Sequence, residues 1–390
     1  MICQIPALRA LTIFSIVVAA SSHCFAGEQV AELGQLEFAG KSLILPLTEN
    51  AGHPKVIVDM GDGEQHEFIV DTGASVNVLD SAIATSFGFE VVGEMQIGAP
   101  SGPQIPGDIV KVPLAFVGGA KIKNAEFVTM DLAKFSGGST QGVLGMGLFR
   151  EYLLTYDYGG NEIRVSRDTL SATAPGVLSY KDLSGHIQID MDVAGTTVAT
   201  HVDTGSMAGF TLPVEMKKSL ALKPSGQGST SARVVGGDRD IVFGQLDGEI
   251  LFAGSRYQDP PVGFMDPSPG YGNVGSRILS DFIVDIDQQN HLIRFQKAAP
   301  KRVMAASTAP RRLGVQFRGM PGGARLTIGY VEPDSLGEKS GLLPGDVLLT
   351  LNDKPSEDYD MASLGMLIRG TEPLHLEIDR AGKTQSIRIH

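Results

Sequence analysis

Short apolar runs alternate with polar residues along most of the chain. Examples are Lys55-Val56-Ile57-Val58-Asp59, Glu67-Phe68-Ile69-Val70, His186-Ile187-Gln188-Ile189-Asp190 and Thr200-His201-Val202. Gly, Pro, Asn and Asp break the runs before a helical face could develop, which is the pattern of half-buried strands joined by turns. This texture fills residues 44–168, pauses at Ser171-Ala172-Thr173-Ala174-Pro175-Gly176, and resumes over 178–298. Helical stretches are brief: 80–88 in the first block and 213–220 in the second. A segment rich in Ala, Pro, Lys and Arg, residues 299–312, reads as a linker. Residues 313–390 form a third block, and the pattern as a whole predicts a mainly β protein.

The first two blocks repeat each other. The strand ending at Val70 runs into Asp71-Thr72-Gly73-Ala74, and the strand ending at Val202 runs into Asp203-Thr204-Gly205-Ser206. The two aspartates lie 132 residues apart. Each is followed by an apolar-Leu element at similar distance, Gly142-Val143-Leu144-Gly145 and Arg277-Ile278-Leu279-Ser280, and then by an Asn-containing hairpin signal. Order, spacing and strand context agree, so an internal duplication is expected.

Composition narrows the function. The chain has 390 residues, 42% hydrophobic and 19% charged, too apolar to be mostly disordered. A formal net charge of -12 argues against binding nucleic acid through phosphates. Residues 1–26 read as a secretory signal, with Arg9, an apolar stretch over 10–20 and small residues before Gly27. Both cysteines, Cys3 and Cys24, lie within it, so the exported chain would carry no disulfide. No later apolar run is long enough to span a bilayer, and no stable membrane span is expected after signal removal. The histidines show no metal-ligand spacing, and neither a metal nor an organic cofactor is expected.

The paired Asp-Thr-Gly turns resemble those of pepsin- and retropepsin-type aspartic proteases, with both lobes in one polypeptide. The resemblance implies two related β-barrel-like lobes, 44–168 and 178–298, with the catalytic pair Asp71 and Asp203 between them. Two carboxylates sharing one proton supply both a base for water and an acid for the substrate. At ~5 Å and an effective dielectric of ~20 their repulsion is ~3 kcal/mol, enough to keep one protonated. Gly73 and Gly205 would let the backbone approach the pair, and Thr72 and Thr204 would hydrogen-bond across the lobes. Ser206 keeps a hydroxyl that Ala74 lacks, so Asp203 should be the more acidic partner. A hairpin near 94–103 would close over substrate, although no Tyr marks it.

Residues 313–390 resemble a PDZ domain, a small β domain with two short helices, most specifically through Gly341-Leu342-Leu343-Pro344-Gly345-Asp346. Such a domain adds an extended peptide to a sheet edge and holds a terminal carboxylate with loop N–H groups. Here that loop would be Leu313-Gly314-Val315, beside a helix over 360–369. The expected protein is an exported aspartic endopeptidase of the bacterial periplasm or cell envelope. Its partners would be polypeptide substrates and peptide or protein C-termini. The rival expectation is an inactive peptide-binding protein on the same scaffold.

Overall fold

The computed structural model describes residues 13–14, 19–20, 31–48, 53–99, 102–298 (except 137, 184, 236 and 267), 313–318, 325–359, 363–364, 367–368 and 372–389. Strands dominate, as the alternation predicts, and they assemble into four sheets. In the first lobe, His66–Asp71 runs parallel to Gly142–Gly145, with Leu144 opposite Val70 and Gly145 opposite Asp71. Val78–Asp80 lies antiparallel on the other side of Gly142–Gly145. The second lobe repeats the arrangement: Thr196–Asp203 runs parallel to Gly272–Gly275, with Gly275 opposite Asp203, and Phe210–Pro213 flanks it.

This register corrects the pairing of repeat elements read from the sequence. The counterpart of Gly142–Gly145 is Gly272-Asn273-Val274-Gly275, not Arg277–Ser280. The latter overlaps the helical turn Ser276–Leu279, which corresponds to the 3-10 turn Met146–Phe149. Gly272–Gly275 holds one apolar residue, Val274, so it gives no strand signal on its own. Leu279 is nevertheless fully buried behind the second turn.

The lobes meet through a six-stranded sheet. Leu153–Asp157 pairs with Phe282–Asp287 across the repeat, Leu154 opposite Ile286 and Tyr156 opposite Val284. Phe68, Phe127, Phe149, Tyr156, Phe252 and Phe282 belong to one core that runs through both lobes. Each such ring removed from water contributes about 1.5–3 kcal/mol, so the lobes are held by shared burial without disulfides.

Each lobe also projects a long hairpin. Val91–Gly98 and Ile105–Val117 form the first, covering the region expected to close over substrate. Leu222–Val234 and Gly237–Leu246 form the second, which the sequence reading missed. The hairpins meet at their tips: the Ala99 N–H donates to the Val235 carbonyl at 3.0 Å, and Ala99 packs with Val234 and Ile241.

The C-terminal block has its own core, including Leu326, Ile328, Leu342, Leu348, Leu376 and Ile378. Its five main strands are ordered Val315–Arg318, Thr327–Val331, Val347–Leu351, Leu374–Arg380 and Lys383–Ile389. The Gly-Asp signature has a structural purpose. Gly345 sits at φ +98°, and the buried Asp346 carboxylate accepts the Leu343 N–H and the Nε and Nη2 N–H groups of Arg380. Of the helix expected over 360–369, residues 363–364 and 367–368 are helical and the rest lie outside the described residues.

Candidate active site

Each Asp-Thr-Gly turn is delivered by a strand buried on both faces. Phe68, Ile69 and Val70 lead into the first, Val202 into the second, and Asp71 and Asp203 are fully buried at the ends. The turns grip one another symmetrically. Thr72 Oγ1 donates to the Val202 carbonyl (2.7 Å) and accepts the Thr204 N–H (2.9 Å). Thr204 Oγ1 donates to the Val70 carbonyl (2.9 Å) and accepts the Thr72 N–H (3.0 Å). Four buried hydrogen bonds thereby span the pseudo-twofold, which fixes one turn against the other.

That grip brings the carboxylates together. A Cβ placed on Gly73 would lie 2.8 Å from Asp203 Oδ1 and 3.1 Å from Asp71 Oδ1, so one glycine touches both side chains. A Cβ on Gly205 would collide with the Asp71 carboxylate. The N–H groups of Gly73 and Gly205 both donate to Asp71 Oδ1, at 2.7 and 3.1 Å, while Asp71 Oδ2 has no partner among the described residues. Burial, and then the charge of Asp203, raise the Asp71 carboxyl well above the usual carboxylate range; the two N–H groups oppose this without cancelling it. Ser206, on the second turn, accepts the Ala208 N–H through its Oγ at 3.2 Å.

Glycines behind the turns complete the symmetry. A Cβ on Gly145 would meet the Val76 carbonyl at 2.6 Å, and one on Gly275 would meet the Ala208 and Ser206 carbonyls at 2.5 and 2.6 Å. The Met146 N–H donates to the Ala74 carbonyl and the Ser276 N–H to the Ser206 carbonyl. Backbone cannot yield here as a side-chain end would. Gly275→Ala is therefore expected to destabilise the fold by about 1–3 kcal/mol. A thermal melt checks this, and Gly209→Ala, whose added methyl meets nothing closer than 3.7 Å, serves as the tolerant control.

Aromatic side chains not singled out in the sequence lie near the pair. Tyr156 is buried against it, and its phenol is raised by burial despite a hydrogen bond with Thr204. Tyr271 is raised to about 12, first by burial and then by the charge of Asp203. His201, expected to be a packed strand residue, is 3% exposed; burial and then the neighbouring His186 ring lower it to about 3. Its ring hydrogen-bonds the Thr72 backbone, and it meets the His186 ring edge-on at 5.0 Å between centroids. The positions of Tyr156 and Tyr271 in the chain carry no signal, because only the convergence of lobes and hairpins brings them near the turns. Among the described residues no group of three or more His, Cys, Asp or Glu side chains is placed to hold a metal ion.

Leu313, Gly314 and Val315, expected to form a carboxylate loop, lie where the outermost described strand of the C-terminal block begins. The Leu313 carbonyl accepts the Gly337 N–H (2.8 Å) and the Gly314 carbonyl accepts the Glu332 N–H (2.7 Å). Gly314 sits at φ +68°, and a Cβ there would strike Ser335.

Two β lobes facing each other through paired Asp-Thr-Gly turns define the retropepsin-like aspartyl protease class. Residues 56–148 match the aspartyl protease family model, and residues 327–380 match that of the PDZ domain. The chain thus carries an aspartyl-protease-like domain and a PDZ domain. A protein of Rhizobium meliloti (strain 1021) named "Putative zinc metalloprotease" is 38% identical over 55 residues, 14% of this chain and 15% of that one. This chain therefore matches only a small part of that relative's length.

Proposed function

We propose that the protein is an aspartic endopeptidase in which Asp71 and Asp203 share one proton and hydrolyse peptide bonds in extended polypeptides. The observation that carries this reading is the one glycine, Gly73, that lies against both carboxylates. Asp71, raised by burial and by Asp203, holds the proton; Asp203 acts as the base. Asp203 takes a proton from a water whose oxygen attacks the scissile carbonyl carbon, while Asp71 gives its proton to the carbonyl oxygen. The tetrahedral diol then collapses: Asp203 protonates the amide nitrogen, Asp71 recovers a proton from a diol hydroxyl, and the C–N bond breaks. The pair returns to its starting state.

Thr72, Gly73, Thr204, Gly205 and Ser206 act as supports that hold the carboxylates in place. The meeting hairpins would cover the substrate and exclude water. The N-terminal signal pattern supports export to a periplasmic or envelope location. No helix among the described residues is long and apolar enough to cross a membrane.

The test is to incubate the protein with unfolded casein from about pH 3 to about pH 8 in ¹⁸O-labelled water. New peptide termini with ¹⁸O in the new carboxylate are expected. Casein that binds and stays intact at every pH would leave a peptide-binding protein instead.

A further inference from the structure

We infer that one substrate chain occupies both peptide sites at once, so that the protein selects polypeptides with a free C-terminus and cuts them at a set distance from it. The inference rests on the protease reading above and adds the substrate class.

The loop at 313–315 is arranged for an anion. In a planar trans peptide the N–H points opposite to the carbonyl of the same unit. With the Leu313 and Gly314 carbonyls bonded inward to Gly337 and Glu332, the N–H groups of Gly314 and Val315 are turned the other way. Among the described residues Val315–Arg318 is the outermost strand of its sheet, so its flank beside Val315 can take an extended peptide. Added antiparallel, with its carboxylate at the loop, that peptide runs alongside toward Arg318.

The second-lobe hairpin lies at that end. Thr230 Oγ1 donates to the Phe317 carbonyl at 3.1 Å, and Arg318 Nε donates to the Ser229 carbonyl at 2.8 Å. Beside them the two backbones press together: a Cβ on Gly228 would lie 2.5 Å from the Gly329 carbonyl oxygen. The Phe243 ring stacks on Tyr330 at 4.2 Å and 21°. Glu332, whose N–H holds the Gly314 carbonyl, pairs through its carboxylate with Arg277 on the turn just after Gly275. Hydrogen bonds, ring stacking, backbone contact and an ion pair thus fix the PDZ domain to the hairpin and to the back of the Asp203 turn.

The same hairpin roofs the cleft, through Val235 at its tip and Ile241 packed with Ala99 and near Ala208. With the signal segment 1–26 removed, Leu222–Val234 is the outermost strand of its sheet. A substrate leaving the PDZ edge is delivered to this strand, and the rigid contact sets how many residues separate the held carboxylate from the carboxylate pair. A domain on a flexible tether would impose no such spacing.

The test uses peptides with one cleavable segment, taken from the casein digest, placed about 4 to about 20 residues from the C-terminus by Gly/Ser spacers, each as free acid and as amide. The free acids should show one optimal spacing, with kcat/KM roughly 10-fold or more above the matching amide. The Tyr330→Ala variant, which loosens the contact, should flatten that optimum. Affinity for Asp203→Asn gives a readout independent of turnover, and the acid of optimal spacing should bind roughly 10-fold tighter than its amide. Acids and amides cut equally at every spacing would overturn the inference and leave the PDZ domain a structural brace. Failure to cut any peptide would sink the protease reading, and equal binding of acids and amides to Asp203→Asn would then sink this one separately.

Discussion

Asp71→Asn is expected to lower cleavage by roughly 10²–10⁴-fold, the usual worth of a positioned acid or base, and at the same time to raise the melting temperature at neutral pH. The first effect follows from removing the group that protonates the scissile carbonyl. The second follows from linkage. In the unfolded chain Asp71 titrates near ~3.9. In the folded protein, burial and Asp203 raise it well above that, so above about pH 4 the unfolded state gains by releasing a proton that the fold retains. That cost is absent below the unfolded value and complete above the folded one. Asparagine keeps an oxygen for the Gly73 and Gly205 N–H groups and has no proton to give up. The gain should therefore vanish near pH 3 and widen toward neutrality; about 1 kcal/mol is worth roughly 2–4 °C in domains of this size. Thermal melts across pH, set beside casein assays, check both halves. A variant that is less stable at neutral pH would show that the Asp71 carboxylate is not strained by its surroundings.

Acid should unfold this protein from a different point, the buried His201 ring. His201 falls to about 3 in the folded state, against an unfolded value of ~6.5, because burial and then His186 disfavour its charge. The stability this contributes is fully present above about pH 6.5 and lost as pH falls toward 3, on the order of 4 kcal/mol. The groups facing the pair do not reverse the sign. Asp182 favours a charged His186 without restoring its ordinary value, and the Thr72 backbone bond favours a charged His201 by less than burial disfavours it. His201→Gln should flatten the pH dependence of the melting temperature between about pH 6.5 and 3. An unchanged slope would remove His201 as the cause.

The corrected repeat alignment shows where sequence reading stops. The strand Gly272–Gly275 is held in register by Thr196–Asp203 and Phe210–Pro213, and its glycines leave room for neighbouring backbone. Neither cause leaves an apolar pattern, so the nearest strong apolar signal in the sequence is Leu279. The second-lobe hairpin was missed for a related reason: Leu222–Val234 is rich in Ser, Gly and Thr, because part of its surroundings is the PDZ domain.

The local sequence by itself determined the strand-rich character, the duplication and the Asp-Thr-Gly turns. Alternation, turn residues and spacing are properties of neighbouring positions, and each lobe needs them to bury its own strands. Tertiary structure alone decided that Thr72 and Thr204 interlock, that tyrosines lie near the carboxylates, and that the PDZ domain rests on the cleft roof. The first and last of those relations join residues 132 and 87 positions apart. They follow from packing two lobes and a third domain together, and a one-dimensional pattern carries no term for them.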